Sequence, residues 1–274
     1  MHLLVATGGS RHSDVAACVG LRLAHLVGAD VTLLYVVKHD DQRPTARRML
    51  DDLCKRWGDD ERRVRRKVRV GRPLTELNYE LWENPADLLV IGERSPHRFW
   101  TRLRGSLVSR LTDSAPCPVL IAKDDAVPYG RVLLCDSGAD SPTLFEGLAT
   151  HGLFSLLDSA SKLTVLHVMS QISAAPGIRG RDLRAGADEL IKFQSPEGAF
   201  MARDVALLKE HGLSADAKIR HGLVVDEILA EASGGDYDLI LIGGHRGGGW
   251  PALLLDDLAH QLVSRLDRSL LVVR

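Results

Sequence analysis

Gly92 and the pair Gly105-Ser106 are the residues of this chain whose types and spacing best suit chemistry. Gly92 closes an apolar run, Asp87-Leu88-Leu89-Val90-Ile91, that reads as a buried strand, and Gly105-Ser106 opens onto Leu107, Val108 and Leu111, spaced as in a helix. A loop that leaves a strand and enters a helix ends on unpaired backbone N–H groups carrying partial positive charge, a place suited to phosphate. Glycine at exit and entry lets the backbone come close to a ligand, and the Ser106 hydroxyl can donate to a phosphate oxygen or cap the helix. Arg94, Arg98, Arg102 and Arg104 add positive charge between them. The same residues also describe an ordinary strand-to-helix loop, since isolated glycine spacings recur by chance.

This frame occurs twice. Asp87 to Gly92 returns as Asp238-Leu239-Ile240-Leu241-Ile242-Gly243, an offset of 243 − 92 = 151. At the same offset Gly71 to Leu77 aligns with Gly222 to Ile228, and Val119-Leu120-Ile121-Ala122 with Leu270-Leu271-Val272-Val273. Nearer the start of each half the offset is 168 − 36 = 132, because Leu33-Leu34-Tyr35-Val36 matches Val165-Leu166-His167-Val168. The chain reads as two copies of one domain, 1–124 and 130–274, the second with an insertion at about 170–195.

The elements that must position the loop alternate regularly. In the first half strands are expected at Leu3–Ala6, Val31–Val37, Arg63–Val70, the run into Gly92 and from Val119; helices are expected at Ser13–Val27, Thr45–Trp57, Pro73–Trp82 and up to Ser114. The second half gives strands at Val132–Cys135, Leu163–Met169, Ala215–Ile219 and Leu239–Ile242, with helices at Ser141–Leu157, Gly198–His211 and Val225–Ala232. Such alternation implies α/β architecture: two tandem, doubly wound, parallel five-stranded sheets with helices on both faces. The last strands of the two halves are short and apolar, so they are expected to pack together in an intramolecular pseudo-dimer. The glycine-rich insertion reads as a loop over the second half's pocket or as the least ordered internal segment.

Composition narrows the function. With 35 basic and 36 acidic side chains the formal charge is −1, and no bulk field favours a polyanion. The basic run Arg62–Arg72 follows Asp59-Asp60-Glu61 and has no interleaved aromatics, so it reads as a charge-guarded edge strand and nucleic acid is an unlikely partner. No stretch is apolar for about 18 residues and the amino end lacks a signal pattern, so a cytoplasmic protein without a membrane partner is expected. Cys18, Cys54, Cys117 and Cys135 are scattered and read as reduced, buried thiols; no metal site is expected.

Together these residues resemble the universal stress protein family in its tandem form, over essentially the whole chain. The resemblance implies an adenine-nucleotide alpha-hydrolase-like fold and a nucleotide loop G-x2-G-x9-G-S/T. It also implies an acidic residue ending the first strand against the adenosine, and a second-strand end meeting the adenine. In the first half this places nucleotide at Thr7, Gly8, Val36, Gly92, Ser95 (for the second glycine), Gly105, Ser106 and Leu107, with Gly8 standing where the acid is expected. The second half keeps the acid as Asp136, with Val168 and Gly243, but has Arg246 for the second glycine and Asp256-Asp257 for Gly-Ser.

Charge separates the two. Two carboxylates at a helix start repel phosphate, so the second site is expected to be degenerate and ATP or another adenine nucleotide, with or without Mg, to bind the first. A regulatory stress-response role follows from the resemblance, together with an unknown protein partner; a further homodimer stays open. His12, His97, His245 and His260 fall in no triad or metal-ligand spacing, so no catalytic residue is assigned and enzymatic turnover is at most weak ATP hydrolysis. Two alternatives remain: a stress-related interaction module without nucleotide, and an ATP pyrophosphatase-like enzyme using Thr7-Gly8-Gly9-Ser10, against which Arg11 stands in place of the needed Asp.

Overall fold

The first half runs β1 (His2–Thr7), α1 (Arg11–Val27), β2 (Asp30–Val37), α2 (Arg43–Trp57), β3 (Val64–Val70), α3 (Pro73–Glu83), β4 (Leu88–Gly92), α4 (Leu107–Ser114) and β5 (Val119–Ala122). The second runs β6 (Arg131–Cys135), α5 (Leu144–Thr150), β7 (Lys162–Met169), α6 (Ala187–Lys192), α7 (Pro196–Glu210), β8 (Ala215–His221), α8 (Val224–Gly234), β9 (Leu239–Gly243), α9 (Ala252–Arg265) and β10 (Ser269–Val273). The structure is a computed structural model that describes residues 1–57, 63–93, 107–138, 143–157, 160–169, 186–192, 195–243 and 252–273, the side chains of residues 11 and 252–257 excepted.

Local chemistry sets the helix ends. Ser10 caps α1 in a capping box with Ser13, and Gly28 closes it at φ 66, a conformation that favours glycine. Ser195 accepts from the Gly198 N–H at the start of α7, with proline in the first turn. One expectation fails here. The helix predicted over Ser141–Leu157 ends at Thr150, and Gly152 at φ 66 turns the chain into a short 3-10 segment, Leu153–Leu156. Buried Leu153, Leu156 and Leu157 continue the apolar pattern past this turn, so periodicity could not show the break.

All ten strands join one sheet, ordered β3-β2-β1-β4-β5-β10-β9-β6-β7-β8. Neighbours within each half are parallel; β5 and β10 are antiparallel. At this seam Leu120 faces Leu271, its counterpart in the repeat, and the pairs Ile121–Leu270 and Val119–Val272 exchange roles around it. That is the self-complementary pattern of a two-fold interface within a single chain. Each strand covers the edge that the other half would expose. The core continues across the seam on both faces: Leu3, Val5, Leu120, Leu134 and Leu271 share one cluster, and Leu4, Leu89, Ile121, Leu133 and Leu270 the other.

Polar contacts tie the halves as well. Lys123 is buried, and its Nζ donates to the Val263 and Leu266 carbonyls at the end of α9, where the helix carries partial negative charge. His260 of α9 lies 3.2 Å from the Asp113 carboxylate of α4. The connecting segment is fastened to the first half, because Arg22 donates to the Asp125 and Val127 carbonyls.

β3 and β8 are the two sheet edges, as the basic run suggested. Their cations are engaged within their own half. Lys67 and Arg69 reach Glu80, and Arg69 also reaches Glu76 and Glu83. The repeat preserves this: Lys218 and Arg220 meet Glu231, and Arg220 meets Glu227. Glu80 is 1% exposed, so neutralising it orphans desolvated charge. Glu80→Gln is expected to lower stability by about 2 kcal/mol, below the usual cost of breaking a buried pair because Arg69 keeps two other carboxylates. Urea denaturation checks this.

Candidate functional site

Where strand order reverses in a parallel sheet, the connections from two adjacent strands leave toward opposite faces and open a crevice beyond the strands' carboxyl ends. In the first half the reversal lies between β1 and β4, in the second between β6 and β9. The crevices therefore begin at Thr7-Gly8 and Gly92, and at Asp136 and Gly243.

In the first crevice, a Cβ added to Gly92 would stand 2.0 Å from the His12 carbonyl oxygen, so only glycine lets β4 end against the first turn of α1. Thr7 ends β1 buried, and its hydroxyl has no hydrogen-bond partner among the described residues. Among the described residues nothing lies within 4 Å of a Cβ added to Gly8, while its carbonyl accepts from the Tyr35 hydroxyl at 3.0 Å. Val36 is half-buried near the end of β2, and Leu107, 41% exposed, begins α4. Ser95, Gly105, Ser106 and the four loop arginines lie outside the described residues, as does Arg246.

Strand register corrects one assignment. Leu3 pairs with Leu88 and Val132 with Leu239, the same step of each repeat. Counting along β1 and β6 then sets Thr7, not Gly8, opposite Asp136. The second turn agrees, because Gly9 and Gly138 share φ 70. The sequence comparison slipped by one residue because Thr-Gly-Gly-Ser and Asp-Ser-Gly-Ala offer no apolar anchor. A second correction concerns Asp256-Asp257. α9 begins at Ala252, so both fall in its second turn and neither is a cap. Pro251, a residue type suited to helix starts, precedes Ala252 in sequence and was the overlooked signal.

At the second crevice, Phe200 lies over Gly138 as Met49 lies over the equivalent Gly9 in the first, but here an aromatic ring and a second carboxylate stand beside the strand end. Asp136 is buried, its N–H donating to the Leu166 carbonyl at 3.0 Å and its carbonyl lying 3.1 Å from the His167 ring Nδ1. Burial holds the His167 pKa below its usual value although Asp136 pulls the other way. The ring meets Phe200 edge-on at 4.7 Å, and Phe200 also closes over Gly138, where an added Cβ would be 2.6 Å from the phenyl ring. Asp204, on the same helix as Phe200, faces Asp136. Val168, half-buried, follows His167 on the opposite face of β7, and Gly243 has Leu144 at an ordinary 3.8 Å from an added Cβ.

Phe200 and Asp204 were missed in the sequence. The signal existed: at the 151-residue offset they align with Met49 and Leu53, and the equivalent Gly9 does meet Met49. A carboxylate in an apolar helix position marks a specialised site. Among the described residues no group of three or more His, Cys, Asp or Glu side chains is placed to hold a metal, and no helix is long and apolar enough to cross a membrane.

Comparison with known proteins agrees with this geometry. The family model described as the universal stress protein family matches residues 1–123 and again 128–274. A universal stress protein from Archaeoglobus fulgidus DSM 4304 superposes with a TM-score of 0.69 at 19% identity, over 100% of this chain and 98% of that one. A protein of unknown function from Pseudomonas aeruginosa PAO1 gives 0.65 at 16% identity, over 99% and 92%. A shorter universal stress protein, solved in complex with cAMP, covers 44% of this chain and 95% of its own at 24% identity and a TM-score of 0.40. With both halves matched and the repeated sheet joined at β5 and β10, the chain belongs to the universal stress protein family.

Proposed function

We propose that this protein binds an adenine nucleotide, ATP in the first instance, in the crevice of its first half and serves a regulatory stress-response role in the cytoplasm. The observation that carries the reading is the buried Thr7 hydroxyl, without a partner among the described residues, beside the Gly8 backbone at a strand-order reversal whose other wall is Gly92. A buried polar atom without a partner costs stability, and a ligand hydroxyl or ring nitrogen would satisfy it. Val36 would meet the base, and Gly92, Ser95, Gly105, Ser106 and Leu107 would follow the phosphates, with any Mg ion carried by the phosphates. In the second half Phe200, His167 and the paired carboxylates Asp136 and Asp204 would disfavour a nucleotide, so one nucleotide per chain is the expected load. The bound nucleotide acts as a signal, with at most weak hydrolysis.

A non-nucleotide interaction module has its own observation. Tyr79 and Trp82 are 50% and 79% exposed on one face of α3, where the second half carries Ala230 and Ser233. Mass spectrometry of small molecules released from the purified protein separates the readings. Adenine nucleotide in the extract supports the binding site; its absence, with no heat on titration of ATP, favours the protein-docking role.

A further inference from the structure

We propose that Asp136 and Asp204 form a proton-sharing latch that holds α7 against the end of β6 and loosens when the shared proton is lost. The two carboxyl groups come from different elements, a strand end and the middle of a helix, and are 6% and 1% exposed. Phe200, one turn before Asp204, packs on Gly138, two residues after Asp136, and each aspartate has a buried Oδ2 with no hydrogen-bond partner among the described residues; each carboxyl acts on the other. Two carboxylates so placed cannot both remain charged at low cost; one proton between them satisfies both oxygens. The first half has Thr7 and Leu53 at these positions, so the device belongs to the second half alone.

The surroundings balance little of this charge. From α7 itself, Arg203 donates through Nε and Nη2 to Asp204 Oδ1 at 3.1 and 2.9 Å, but it is half exposed. β7 contributes His167, whose charged form burial disfavours, with Glu197 and His221 acting on it from α7 and β8. The remaining cations of β8, Lys218 and Arg220, are engaged by α8. α6 meets α7 through the Leu190 carbonyl at Gly198, and its Asp188, Glu189 and Lys192 are exposed.

Burial first, then the neighbouring Asp136, pushes the Asp204 carboxyl up from 3.8 to about 7. Its folded pKa lies above its unfolded one, so the latch contributes fully below about pH 4 and is lost as pH rises to about 7. His167 has the opposite sign, its contribution being lost as pH falls through 6.5 and below, so the latch must be read as a difference between variants. Because α7 carries Phe200 over Gly138, loosening it uncovers the carboxyl end of β6. This mechanism holds whether or not the first half binds nucleotide.

Hydrogen exchange of the full-length protein between pH 5.5 and 8.5, corrected for intrinsic rates and referenced to α1, tests it. In the wild type the opening of α7 relative to α1 should rise about tenfold across this range. In Asp204→Asn, and in Asp204→Leu, which installs the first-half residue, that rise should vanish. An unchanged slope in Asp204→Asn overturns the proposal. A direct reading that needs no variant is the 13C shift of the aspartate carboxyls in the wild type. An Asp204 carboxyl step near pH 7 supports the shared proton, and an Asp204 step below pH 5 refutes it.

Discussion

Gly92→Ala is expected to destabilise the protein by about 3 kcal/mol, whereas Gly243→Ala, at the matching point of the second half, should change stability by less than about 1 kcal/mol. The difference follows from what a methyl group meets. At Gly92 it would lie 2.0 Å from a backbone carbonyl oxygen of α1, and backbone in a capped helix cannot swing aside as a side chain can. At Gly243 the first contact is 3.8 Å away. Two glycines that look identical in sequence should thus separate by roughly 2 kcal/mol or more in urea denaturation. Similar losses at both would mean that Gly92 is an ordinary strand glycine, and the close approach of β4 to α1 would carry no meaning for the site.

The second large effect concerns phosphate. Placing Asp at both Gly105 and Ser106 sets two negative charges at the entry to the helix that a nucleotide triphosphate would approach. Affinity for ATP should fall by about tenfold to hundredfold, or about 1.4–2.8 kcal/mol. The fold should persist, because Asp is tolerated and often favoured near helix starts. Calorimetric titration with a parallel thermal melt distinguishes lost affinity from lost structure.

Most of the fold was legible because it rests on repetition. The 151-residue offset joined runs such as Leu88–Ile91 and Leu239–Ile242, whose continuous apolar character belongs to strands buried on both faces. Short apolar strands at each carboxyl end pointed to the seam now seen between Leu120 and Leu271. The site was harder to read. The turn after β1 has no hydrophobic pattern, so the place of Asp136 in the first half was assigned to Gly8 when hydrogen-bond register gives it to Thr7. The residues gathered at the second crevice were invisible for another reason. Asp204 and Phe200 reach it from the middle of a helix, 64 or more residues along the chain from Asp136. Only the packing of α7 on β7 and β8 brings them there. The insertion expected at about 170–195 contains α6, which packs on α7 and places Leu190 with Met169 near the edge strand; residues 170–185 lie outside those described.

Titration of wild-type protein with ATP, followed to saturation and repeated on the double aspartate variant, tests the central claim most directly. One nucleotide per chain, lost or weakened at least tenfold in the variant, is the predicted result. Two equivalent sites would contradict the view that Phe200 and Asp204 disfavour nucleotide in the second half. A single site unaffected by Asp at positions 105 and 106 would remove the phosphates from the first-half loop.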